Sequence, residues 1–154
     1  MRIEIVTQRI IEDMMIKSHL ESQAIKDLAD RDYVRIDEED MDEVRRDIVS
    51  ASASLANILQ RYLRPDTSFL AEDAALELTP TMVYDLAFSE RRQSGKAQPL
   101  ADAFHSYLVN LALSKFYESV NQNDMANKRR ALAAADAELI ENLIYRKLPP
   151  FITR

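Results

Sequence analysis

Glycine occurs once in the 154 residues, at Gly95. Tight turns, phosphate-cradling loops and many hairpin geometries need positive φ, which glycine supplies at little steric cost. A chain with one such residue is expected to be built mainly from helices, joined by loops that avoid that geometry. Walker-type and dinucleotide-binding loops, which need several glycines, are excluded on the same ground. Cysteine is absent, which removes disulfides and thiolate metal sites. Apolar residues make up 47% and charged residues 30%, a globular balance. No apolar run approaches the ~20 residues of a spanning helix, so no membrane contact is expected. The acids within the apolar N-terminal stretch argue against a signal peptide. The net charge of −6 disfavours nucleic-acid binding through a general field.

Apolar spacing divides the chain into elements. Ile3, Val6, Ile10 and Met14, with Ile11 and Met15, form a helical stripe reaching about Leu20. That helix begins near Ile3, or at Thr7 if Thr7 caps it and leaves residues 2–6 extended. Residues 21–36 hold at most a short helical turn, with Tyr33 to Ile36 extended. Asp37 then opens the clearest helix, with Glu38, Glu39 and Asp40 in its first turn, where the helix dipole favours acids. Met41, Val44, Ile48, Ala51, Leu55, Ile58 and Tyr62 recur in steps of three and four, so the helix is expected to reach Leu63 before Pro65 stops it.

Residues 66–98 read as an insertion of another kind. Met82, Tyr84, Leu86 and Phe88 alternate with Val83, Asp85 and Ala87, the period of a half-buried strand. Leu76 and Leu78, ahead of Thr79-Pro80, are its expected partner strand. Such a hairpin is marginal alone and should lean on the helices or on another subunit. Residues 90–98 (ERRQSGKAQ) read as an exposed loop. Pro99 suits the start of a helix carrying Leu100, Phe104, Tyr107, Leu108, Leu111, Phe116 and Tyr117 on a broad apolar face. Residues 121–124 turn into a last helix capped by Asp124, burying Leu132, Ala135, Leu139, Ile140, Leu143 and Ile144. The fold class expected is mainly α: a bundle of about four helices with a small β-hairpin insertion, forming one domain over residues 1–154.

Catalysis needs convergent groups, commonly a histidine with an orienting partner. The chain has two histidines, His19 and His105, and neither has an evident partner in the sequence. Ser106, adjacent to His105 on a helix, points about 100° away from it. The acidic run of residues 37–47 lacks the glycine of a calcium loop. No catalytic, cofactor or metal site is assigned. Two basic clusters remain, Arg91-Arg92 with Lys96, and Lys128-Arg129-Arg130. The second is a candidate contact for an acidic surface or for DNA, and the alternative function it suggests is a small regulatory module binding a protein or DNA.

The order of features resembles the head–tail connector (adaptor) proteins of tailed bacteriophages. Their layout is a helix opened by an acidic cluster, an irregular or hairpin insertion, and a closing helical pair ending in an arginine-containing turn. Here the matching stretches are Asp37-Glu38-Glu39-Asp40-Met41-Asp42-Glu43 through Leu63, then Phe104 to Tyr117 within LVNLALSKFYESV, and finally Leu139 to Arg146. The likeness covers about two-thirds of the chain and rests on patterning; the opening helix and the strand pair fit the family less well. It implies a structural virion protein without enzymatic activity. Such a protein forms a ring with copies of itself, of twelve subunits in that family. The ring joins the portal protein to tail or stopper proteins in the virion neck and lines the DNA channel. Assembly would take place in the bacterial host cytoplasm. Met82, Tyr84, Leu86, Phe88, Arg91, Arg92 and Lys96 are then the expected contacts with neighbouring subunits.

Overall fold

Alternation decides the first element. Ile3 and Ile5 are buried while Arg2, Glu4 and Val6 are exposed, the pattern of a strand with one face on a core. The computed structural model describes residues 1–64, 79–87, 95 and 97–145. Within them, β1 (Arg2–Val6) runs directly into α1 (Thr7–Ser22). Thr7 is therefore the first helical residue and not a cap; its hydroxyl donates to the Thr79 carbonyl at 2.7 Å. The short α2 (Leu28–Val34) follows, capped by the Asp27 carboxylate, which accepts from the Ala29 N–H at 2.9 Å. It replaces the extended stretch expected at Tyr33.

The acidic run forms a 3₁₀ turn over Glu38–Asp40 that leads into α3 (Met41–Leu59). The Asp40 carboxylate reaches back to accept from the Asp37 N–H at 3.0 Å. Helix α3 buries Val44, Ile48, Ala51, Ser52, Leu55 and Leu59, and ends in a turn four residues before Leu63.

Strand β2 (Thr81–Asp85) lies where the alternation placed it; the segment around Leu76 and Leu78, expected as its partner, lies outside the described residues. The strand pairs antiparallel with β1, Ile3 opposite Tyr84 and Ile5 opposite Met82. Leu86 extends the ladder, donating to the Met1 carbonyl at 2.7 Å, while Leu63 bridges to Leu86 from the opposite side.

Helix α4 (Ala97–Ser119) is the axis of the fold, with Leu100, Phe104, Leu108, Val109, Ala112, Leu113 and Phe116 buried. Pro99 sits in its first turn, where a missing N–H costs nothing. It packs against α5 (Asn123–Tyr145), α3, α1 and β1, and buried side chains from these elements join one core. The α4–α5 turn shows how a chain nearly devoid of glycine turns sharply. Asn121 adopts φ 60°, Gln122 donates to the Tyr117 carbonyl at 2.9 Å, and Asn121 to that of Glu118 at 3.2 Å. This is a Schellman cap with asparagine in the left-handed position. Gln122, not Asp124, precedes α5. Gly95 itself has φ 83°, the geometry that favours glycine.

The architecture is thus mainly helical with a small antiparallel strand pair. The apolar face of α5 differs from the expected one. Ala126, Ala133, Ile140 and Ile144 are buried, whereas Leu132, Ala135 and Leu139 are exposed. Small alanines let α5 approach α4 closely, so the larger leucines are turned outward.

Candidate functional site

The basic run on α5 is divided by the helix turn. Arg129 points inward, ion-paired with Glu21 of α1, and donates to the Asn110 side-chain carbonyl of α4 at 2.9 Å. Asn110 in turn donates to Asp136 at 2.8 Å, and Ser106 donates to the same carboxylate oxygen at 2.8 Å. Three helices are joined by this chain of partners. Tyr117 adjoins it; burial and the nearby Glu21 push its hydroxyl pKa up. Arg130 pairs with Glu118 at 3.0 Å, and Lys128 is exposed. Lys128, Arg129 and Arg130 therefore do not form one basic face. The arrangement fixes helix register; two of the three cations already have carboxylate partners.

Both histidines have partners, contrary to the expectation from sequence. His19 donates from Nε2 to the Ile36 carbonyl at 3.0 Å, with Asp37 3.7 Å away, which ties α1 to the entrance of α3. His105 on α4 donates from Nε2 to Asp13 of α1 at 2.5 Å. Ser106 faces Asp136 instead.

The His105–Asp13 pair stands in a cleft of about 430 Å³. Glu4, Ile5 and Val6 of β1, Arg9, Glu12 and Asp13 of α1, and Gln98, Ala101, Asp102 and His105 of α4 line it. Four carboxylates face one arginine and one imidazole, so the cleft favours cationic occupants. A histidine beside a carboxylate can exchange a proton with a bound group. Serine, threonine and cysteine, the usual nucleophiles, are absent from the described lining. The described residues hold no group of three metal-ligating side chains.

Asp47 is a separate titratable feature. One carboxylate oxygen is buried without a hydrogen-bond partner, and burial, reinforced by Glu43, raises its pKa from 3.8 to about 7 against the opposing pull of Lys115.

Of the expected subunit contacts, Met82, Tyr84 and Leu86 are buried within the chain. Tyr84 shares a 2.8 Å hydrogen bond with Ser52, its hydroxyl pKa is pushed up to about 12 by burial, and its ring meets Phe104 edge-on at 5.4 Å. The strand's apolar side is satisfied by the chain's own helices and is not offered to a neighbour. Phe88, Arg91, Arg92 and Lys96 lie outside the described residues. Among the described residues, the large apolar side chains that do face outward are Val6, Ile16, Leu20, Leu28, Tyr33, Leu132 and Leu139, between 41% and 70% exposed. Ile16 and Leu20 stand one turn apart on α1, and Leu132 and Leu139 two turns apart on α5. No described helix is long and apolar enough to cross a membrane. Comparison with protein-family models, curated proteins and solved structures finds no match.

Proposed function

We propose that this chain is a structural assembly subunit, a head–tail connector of a tailed bacteriophage that forms a ring between portal and tail proteins in the virion neck. The observation that carries the assembly part is the placement of apolar side chains. Leu132 and Leu139, with Ala135 between them, occupy the outer side of α5 at the spacing of a helix–helix seam, while the inner side carries Ala126, Ala133, Ile140 and Ile144. Outward leucines in register on a long helix suit packing against another protein. The resemblance of residues 37–63, 104–117 and 139–146 to the connector pattern supplies the portal and tail as partners.

The test is light scattering on the purified chain, alone and mixed with a portal ring, for the unmodified protein and for Leu132→Glu/Leu139→Glu. The expected result is an oligomer in one or both conditions, lost in the double variant while its circular dichroism and unfolding midpoint are retained. A strictly monomeric protein in both conditions would refute the reading.

A further inference from the structure

Helices α1 and α5 each turn apolar side chains directly away from the core. On α1 these are Ile16 and Leu20, 57% and 60% exposed and opposite the buried Met14 and Ser18. On α5 they are Leu132 and Leu139, with the exposed Ala131 and Ala135 beside them. The outer side of α5 is thus pitted where α1 is ridged. Residues i, i+3, i+4 and i+7 of a helix frame a hole that receives one side chain of a facing helix. Lys128, Ala131, Leu132 and Ala135 frame one such hole. Leu132, Ala135, Asp136 and Leu139 frame the next, Asp136 turning its carboxylate inward to Ser106 and Asn110. The interval between the holes matches the interval from Ile16 to Leu20, and the alanines give them depth.

We propose that the outer face of α5 packs parallel along α1 of a second copy of the chain, Ile16 and Leu20 filling the two holes and Lys128 set against Glu12 and Asp13. Charge decides the direction. With Ile16 in the first hole and Leu20 in the second, Lys128 stands level with Glu12 and Asp13, and Asp124 with Arg9. Arg9, Glu12 and Asp13 line the acidic cleft, so Lys128 meets its rim. Exchanging the holes reverses the direction, brings Glu12 beside Glu138, and leaves Lys128 opposite the uncharged Gln23 and Ala24. Only a second copy can supply the parallel partner. Within one chain α1 and α5 run antiparallel: Glu21 meets Arg129, while Asp13 and Asp136 meet the neighbouring His105 and Ser106 of α4. The contact joins two different surfaces, so it is head-to-tail, the kind that closes into rings. It rests on the assembly reading and names the surface that the leucines of α5 meet.

The lack of cysteine permits a direct test in the full chain. Glu12→Cys and Lys128→Cys are purified separately, mixed, alone and with a portal ring, and treated with a short bis-maleimide. The comparison is Glu12→Cys mixed with Asn142→Cys, exposed on the same stripe about 21 Å further along α5 and brought near Glu12 only by the reversed direction. Cross-linked heterodimer at least about tenfold above that comparison is expected, as packed helices give a high effective concentration. Adding Leu20→Glu to the Glu12→Cys chain should remove the excess while circular dichroism is retained. A yield no greater than that from Asn142→Cys overturns the proposal, and so does a yield that Leu20→Glu leaves unchanged. Light scattering on the unmodified chain, alone and with a portal ring, separates the two readings. Oligomers without the cross-link remove this contact and leave assembly standing. The cross-link in a protein that scatters as a dimer keeps the contact and removes the ring, and a monomer in both conditions overturns both readings.

Discussion

Asp47→Asn is expected to stabilise the protein by about 1–2 kcal/mol at pH 8 and to have almost no effect at pH 4. The carboxylate sits on α3 facing Lys115 of α4, with one oxygen buried and unpartnered and Glu43 one turn away. Its pKa rises from 3.8 to about 7, so between those values the folded chain holds a proton that the unfolded chain releases. Stability must then fall as pH climbs through that window, with the full penalty present above pH 7. At about 1.36 kcal/mol per pH unit the whole displacement corresponds to about 4 kcal/mol. Asp47 is only partly buried, and water screens its remaining surface, which reduces the recoverable share to about 1–2 kcal/mol. Asparagine keeps the shape and removes the charge. Urea unfolding of both proteins at pH 4, 6 and 8 measures the difference, which should grow with pH and appear as roughly 2–8 °C in thermal midpoint at pH 8. An equal gain at all three pH values, or none at pH 8, would refute the assignment of the penalty to ionised Asp47.

Arg129→Met leaves the half-buried Glu21 without its cation and should cost about 2–4 kcal/mol in urea unfolding, with much of that recovered when Glu21→Leu is added. Tyr84→Phe strands the Ser52 hydroxyl in the core and is expected to cost about 1–2 kcal/mol by the same measurement, less when Ser52→Ala accompanies it. Leu55→Ala opens a cavity on the α3 face and should cost about 2–5 kcal/mol, read as a lower denaturant midpoint at unchanged slope.

Local pattern was readable where a single periodicity ruled. Helix α3 repeats its apolar residues at steps of three and four, and β2 alternates, so both could be placed from the sequence. At the start of the chain two periods overlap. Ile3, Val6 and Ile10 fit a helix as well as Ile3 and Ile5 fit a strand, and only pairing with Tyr84 and Met82 decides between them. The partner of β2 lies 80 residues upstream, a distance over which local spacing carries no information. Helix α5 misleads for a different reason. Leu132 and Leu139 look like core by size, but close approach to α4 selects Ala126 and Ala133 for the contact. The cleft was equally hidden, because Asp13 and His105 are 92 residues apart and neither position signals the other.

The pairing of β1 with β2 sets a timetable for the growing chain. Ile3 and Ile5 leave the ribosome well before the strand that covers their edge, which is about 80 residues behind them. At ~5–20 residues per second, that is an interval of about 4–16 s. During it, α1, α2 and α3 can wind locally, but the sheet cannot close, and α4 arrives later still. Non-local pairing of this kind slows folding relative to helix formation. The N-terminal strand is therefore the last early-made element to find its place, and the nascent chain carries an unprotected apolar edge until the middle of the sequence has been synthesised.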